Sequence, residues 1–292
     1  MMIMGQDIRI RRGILKVAYL DAESYRFLPD AVGMIAFLKE KKRFADVFTF
    51  TQRLSCSAPE FPYYYELANY AVLDITSYDE WWNKTIGFKA RNKARQAEKK
   101  GVVLKEVKLS SEVIAGVHAI YQETPIRQGR SFPHFGKPIK QVENELSTYA
   151  DSSIFIGAYY SDKMIGIARL VLDDRAEQAG LMTIVSMLAH RDKAPTNALV
   201  AKAVEVCADR KVKKLFYSSY AYGNLSRDSL TEFKERNGFV RLEVPRYFVP
   251  LSVWGAIALK IGLHHRLIDR LPESISMKLR EWRRKYNEKN HA

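Results

Sequence analysis

The chain has 292 residues, enough for one large domain or two modest ones with real cores. With 47% hydrophobic and 27% charged residues it is globular rather than disordered, and its two cysteines, far apart, argue against a disulfide framework or a zinc cluster. A net charge of +14 favours anionic partners (nucleic acid, phosphorylated metabolites or an acidic lipid surface) without choosing among them, and a generally basic surface with no dedicated ligand gives the same number.

The start, MMIMGQDIRIRRG, lacks the continuous apolar run of a signal peptide, and no stretch reaches the roughly 20 apolar residues of a membrane span. A cytoplasmic protein is expected. Ile8 to Leu20 reads as a strand, Pro29 to Lys42 as a helix and Asp46 to Leu54 as a strand. Cys56 follows among apolar neighbours and, like Cys207, is expected to be a buried thiol. Beyond a Pro- and Tyr-rich connection, Ala68 to Ile75 is a further strand. Ser77 to Lys100 reads as one helix, with Ser77 as N-cap and Glu80 three residues on, as in a capping box. Its cations Lys89, Arg91, Lys93, Arg95, Lys99 and Lys100 have almost no acidic relief, which suits RNA or phosphate contact as well as a solvated face. Gly101 ends it, Val102 to Val107 is a strand and Ser110 to Tyr121 a helix.

In the second half, Ile154 to Tyr160 and Met164 to Leu172 flank Ser-Asp-Lys as a hairpin, and Leu181 to Leu188 is a third strand. Pro195 opens a helix whose Leu199, Ala203 and Val206 share a stripe beside Val200, Val204 and Cys207. Leu215 to Tyr220 is a strand, Ser226 to Asn237 a helix stopped by Gly238, and Phe239 to Leu251 two short strands. The tail, Ser252 to Lys289, reads as two helices broken at Pro272. Trp254, Ile257, Ile261 and Ile268 lie near one stripe, fit either for anionic lipid at the inner face of the membrane or for packing on the domain. The fold class is α/β (α+β): a mixed sheet with crossover helices.

That order, ending in E-F-K-E-R-N-G-F (Glu232 to Phe239), resembles the core of GNAT acyltransferases. Their last core helix often ends in Tyr-x-x-x-Gly-Phe; here Lys234 stands at the tyrosine's position. FemAB-like transferases carry a Phe-Lys pair in this helix, as Phe233-Lys234 does. The basic run Arg91 to Gly101 and the loop Tyr121 to Lys137 are similar to FemAB-like segments, and the resemblance spans roughly residues 80 to 250. FemAB-like proteins contain two GNAT-like halves, and the N-terminal alternation is compatible with a worn first one. The division expected is 1–110, 111–251 and the tail 252–292. The resemblance implies transfer of an acyl or aminoacyl group to an amine on a cell-envelope or polysaccharide precursor. Acyl-CoA or aminoacyl-tRNA would be the donor, so tRNA is an expected partner, and no metal or redox cofactor is expected. The rival readings are an acyl-CoA-dependent N-acetyltransferase of a small molecule and a non-catalytic RNA- or membrane-binding protein on the same scaffold.

Acyl transfer needs donor phosphates held, an amine deprotonated, an oxyanion stabilised and a leaving group protonated. In a GNAT the phosphates sit where a strand meets a helix N-terminus, here His190 to Ala198. The usual Gln/Arg-x-x-Gly-x-Gly/Ala signature is absent and Pro195 removes one N–H, but Arg191 and Lys193 can offset this beside Thr196, Asn197 and Ala198. In the loop Glu123 to Lys137, Arg127, Gln128, Arg130 and Lys137 are candidates for holding the acceptor, His134 for proton transfer and Glu123 for taking the amine's proton. A structural loop with surface ion pairs is the plain alternative. Tyr220 and Tyr222, at the end of the strand before the last core helix, can donate to the oxyanion or leaving group, or simply pack. Lys234 is the candidate for stabilising oxyanion charge, with a solvated helix lysine as its alternative.

Overall fold

The computed structural model describes residues 1–21, 25–41, 44–127, 130–221 and 229–265. Its strands are β1 (Met2–Ile3), β2 (Gln6–Arg11), β3 (Val17–Leu20), β4 (Val47–Thr51), β5 (Tyr64–Asp74), β6 (Val103–Val107), β7 (Ile126–Arg127), β8 (Arg130–Ser131), β9 (Ser153–Tyr160), β10 (Lys163–Leu172), β11 (Gln178–Ser186), β12 (Lys214–Phe216) and β13 (Val240–Pro250). The helices are α1 (Ala31–Glu40), α2 (Tyr78–Glu80), α3 (Phe88–Lys99), α4 (Ser111–Tyr121), α5 (Ile139–Ser147), α6 (Pro195–Asp209), α7 (Ser229–Arg236) and α8 (Val253–Lys260). Among the described residues the chain divides into two compact units, one holding 1–72, 217–221 and 240–265, the other 73–216 and 229–239.

In the first unit the strand order is β1-β2-β3-β4-β13-β5. β3 and β4 are parallel and joined through α1, whose Met34, Ile35 and Leu38 pack under the sheet against Phe48, Phe50 and Tyr247. Asp30 caps α1 by accepting the Gly33 N–H. The stretch read as one strand from Ile8 to Leu20 is a hairpin, β2 pairing β3 antiparallel. The stretch read as two strands after Phe239 is one, β13, paired antiparallel with β4 on one side and β5 on the other. The first difference is a local turn between residues 12 and 16; the second follows from long-range pairing, which local propensity does not encode.

The second unit is ordered β12-β11-β10-β9-β6, antiparallel except for the parallel β11–β12 pair. The expected β9–β10 hairpin turns through Ser161 and Asp162, both at positive φ, the backbone that a tight primed turn requires. α6 crosses β9, β10 and β11, burying Leu199, Ala203, Val206, Val200, Val204 and Cys207 together. Burial pushes the Cys207 thiol up to about 12. Cys56 instead is half-buried in the first unit, its carbonyl and that of Ala58 taken by the buried Gln52 side chain at 2.6 and 2.9 Å. The polar partner, not the thiol, fills the interior there.

The helix expected over Ser77 to Lys100 is interrupted. Ser77 does cap it, accepting from the Glu80 N–H at 3.1 Å, but Glu80 turns to the Thr76 hydroxyl rather than closing a capping box. A π-helical turn, Trp81–Thr85, follows, and the chain leaves the helix at Ile86 before α3 begins. The break aims Trp81 inward, where its indole N–H donates to the Asn237 carbonyl at 3.0 Å. No helix among the described residues is long and apolar enough to cross a membrane.

Candidate active site

In the second unit, three separately expected segments converge on the main chain between β11 and α6. From the loop after α4, the Glu123 carboxylate accepts the Leu188 and Ala189 N–H groups at 2.7 and 2.8 Å and pairs with Arg127 at 2.9 Å. Arg127 donates in turn to the Ser186 carbonyl at 2.7 Å and the Ile120 carbonyl at 3.1 Å, lies 4.5 Å from the Phe132 ring, and keeps a buried Nε without an acceptor. From α3, Gln96 and Lys100 donate to the Asp192 carbonyl at 2.6 and 3.0 Å. The third segment is the junction itself, where the Ser186 and Thr196 hydroxyls meet at 2.8 Å.

The junction is a short 3-10 turn, Leu188–Lys193, then Ala194 in the left-handed region (φ 53°), then α6 with Pro195 at its first position. No side chain caps α6, and the Thr196 amide has no acceptor among the described residues. Arg191 is exposed and has no acidic partner among the described residues. Lys193 pairs with Asp192 and sits 4.6 Å over the Tyr160 ring. A helix N-terminus with an open amide and two flanking cations has the electrostatics of an anion site.

Beyond this junction the loop forms a second cluster. His134 stacks on Tyr121 with centroids 4.4 Å apart, and its Nδ1 faces the Lys137 ammonium at 3.0 Å. Lys137 is held by both Glu145 oxygens at 2.6 and 2.8 Å. Burial, then Lys137, lower the His134 pKa, so the neutral ring with its proton on Nε2 is the form this geometry favours. Burial pushes Tyr121 up to about 12, and its hydroxyl makes no hydrogen bond to the described residues.

Arg169, on β10, was not singled out from the sequence, although an arginine inside the run Met164 to Leu172 is itself a signal. It is 3% exposed and donates to the Ser153 hydroxyl and the Glu145 carbonyl, both at 3.0 Å. Its Nη2 has no acceptor, and no carboxylate pairs with it among the described residues.

Lys234 lies on the inner face of α7, one turn after the buried Thr231, and is wholly buried. The end of α7 is pinned by the Trp81–Asn237 bond, by the Gly87 N–H on the Arg236 carbonyl at 2.8 Å, and by the Phe239 N–H on the Lys234 carbonyl at 3.0 Å. Gly238, at φ +86°, makes the turn; a Cβ there would stand 2.7 Å from Thr85 Cγ2. Tyr220 belongs to the first unit, where its N–H donates to the Asn69 carbonyl at 3.3 Å. Asn197 carries its side chain on the first turn of α6 and Ala198 is buried there. Tyr222 and Gln128 fall outside the described residues, as does the side chain of Arg130.

No family model and no curated protein matches the sequence. Among solved structures, FemX matches with a TM-score of 0.64 at 10% identity, over 88% of this chain and 86% of that one. L-PGS from Bacillus licheniformis matches with a TM-score of 0.56 at 12% identity, over 89% and 86%. The C-terminal domain (DUF2156) of the protein named putative lysylphosphatidylglycerol synthetase from Agrobacterium fabrum gives a TM-score of 0.57 at 13% identity, over 87% and 83%. The FemAB-like fold expected from the sequence is the fold this chain shares with FemX.

Proposed function

We propose that the chain transfers an acyl or aminoacyl group to an amine carried on a cell-envelope or polysaccharide precursor. One observation supports this more than any other: a lysine held wholly out of water on α7 of a FemX-like fold. Acyl transfer develops negative charge on the carbonyl oxygen, and an ammonium fixed on this helix by its own contacts within the chain is a group that can face that charge.

In this reading the amine nitrogen attacks the donor carbonyl, a tetrahedral oxyanion forms, and the thioester or ester bond to the donor breaks. The amine's proton ends on the departing sulfur or oxygen. Lys234 stabilises the oxyanion. Arg191, Lys193 and the first turn of α6 (Thr196, Asn197, Ala198) hold the donor's phosphates. Arg127, Gln128, Arg130 and Lys137 bind the acceptor. Glu123 acts best as a positioning residue, since its carboxylate already serves two amides and a guanidinium. His134 remains the candidate for proton transfer. For an aminoacyl-tRNA donor, the exposed Lys89, Lys93 and Lys99 of α3 supply backbone contacts.

Thermal melting with coenzyme A, acetyl-CoA and bulk charged tRNA separates the donors. Stabilisation by the coenzymes makes this an acyl-CoA enzyme, and stabilisation by charged tRNA alone makes it an aminoacyl transferase. With the donor known, Lys234→Met is expected to lower turnover by roughly 10²- to 10³-fold at unchanged melting cooperativity. Full turnover in that variant removes Lys234 from the chemistry.

A further inference from the structure

In the first unit, α8 turns its apolar stripe outward. Val253, Ile257 and Ile261 recur at i, i+4 and i+8 with Trp254 beside them, while Gly255 and Ala258 face inward and are buried. The turn between β2 and β3 adds Ile14, and the five apolar residues are between 41% and 83% exposed. They form one surface because the Trp254 indole N–H donates to the Ile14 carbonyl at 3.1 Å. The helix is also held flush to the unit: Ser252 caps it through the Gly255 N–H at 2.9 Å and donates its hydroxyl to Asp46 at 3.0 Å.

Cations rim this surface. Arg12 and Lys16 lie in the same turn as Ile14, and Lys260 stands at the end of α8; all three are exposed and none has an acidic partner among the described residues. Asp46, the acid beside α8, is taken up by the Ser252 hydroxyl and the Lys16 N–H. Exposed aliphatic residues and a tryptophan with exposed lysine and arginine in the same turn and helix match the boundary between acyl chains and anionic headgroups.

We propose that this face, Ile14 with the outer stripe of α8, docks the protein on an anionic lipid surface. A second copy is disfavoured, because a self-complementary contact would set Arg12, Lys16 and Lys260 against their own equivalents. The chain's own sequence after residue 265 is disfavoured for the same reason, since it is basic on balance, with eight lysines and arginines against four acids. The docking stands apart from the transferase reading, and both can fail separately.

The test is co-sedimentation of the full chain with phosphatidylcholine vesicles and with vesicles that also contain phosphatidylglycerol. Binding to the mixed vesicles is expected, weakening with salt. Val253→Glu with Ile257→Glu, both on exposed positions, is expected to weaken it about tenfold or more. Replacing Arg12, Lys16 and Lys260 by Gln costs about fivefold per residue on the anionic vesicles only. Lys234→Met binds like the wild type. Equal partition into both vesicle types, or binding unchanged by the glutamates, overturns the proposal. So does a dimer in sedimentation velocity that the glutamates dissolve while no vesicle binding occurs.

Discussion

Replacing Arg169 by methionine is expected to stabilise the protein, against the usual outcome of a buried substitution. The guanidinium makes two hydrogen bonds, to Ser153 and the Glu145 carbonyl, and has no carboxylate partner. Burial carries its pKa from 12.5 down to about 10, which corresponds to a net penalty on the charged form of about 3 kcal/mol. The folded pKa lies below the unfolded one, so the folded state binds fewer protons between the two. The penalty is therefore complete at neutral pH and is relieved only as pH rises above about 10. Methionine fills similar space beside Phe155 and needs no partner. Against this, the Glu145 carbonyl loses its donor, at about 1 kcal/mol or slightly more; Ser153 keeps its bond to the Tyr149 carbonyl at 2.7 Å. The difference is a gain of about 1–2 kcal/mol, or a rise in Tm of roughly 2–8 °C for a unit of this size. Urea unfolding at pH 7 measures it directly. A loss of more than about 1 kcal/mol refutes the reasoning, because the two hydrogen bonds would then outweigh the desolvated charge.

Two further outcomes follow from the geometry. Gly255→Ala places a Cβ 1.9 Å from the Asp46 carbonyl oxygen, a backbone atom that cannot step aside, so a loss of about 1–3 kcal/mol and weaker vesicle binding are expected together; an unchanged melting temperature would show that α8 does not sit against Asp46. His134→Phe keeps the stack on Tyr121 but removes a base, set among Phe132, Lys137 and Glu145, whose folded pKa lies below 6.5. Wild-type stability should fall as pH drops below 6.5 and level off once the folded pKa is passed, and the difference from the variant over that window, read by thermal melting, isolates the histidine.

Elements with their own local signals were legible. α4 has its Ser110 cap, α6 its proline and double apolar stripe, and the β9–β10 turn its Ser-Asp pair. Elements defined by distant partners were not. β13 is one strand because β4 and β5 flank it from nearly 200 residues away, and the break after Ile86 exists because Trp81 and Gly87 bind the end of α7. α5 was overlooked because only Val142 and Leu146 are buried in an otherwise polar run that starts after Pro138. In the candidate site, the residue types were readable but their partners were not. Nothing local in Glu123 announces the Leu188 and Ala189 amides, 65 and 66 residues away.

Those partners also bear on the missing glycine signature at the start of α6. A glycine-rich turn lets the main chain present its N–H groups because nothing obstructs it. Here Ala194 takes the left-handed conformation itself and Pro195 fixes the first helical residue, a stiffer and more costly route to the same reversal. The cost is offset from outside the turn. Glu123 binds the two amides that open it, Arg127 holds the carbonyl before it, and Gln96 and Lys100 hold the carbonyl at its end. Side chains from three elements therefore impose on this junction a geometry that a glycine sequence would adopt unaided. The Thr196 amide, Arg191 and Lys193 beside it are therefore positioned by contacts within the chain, and in the proposed role of holding the donor's phosphates such preorganisation would spend less binding energy on ordering.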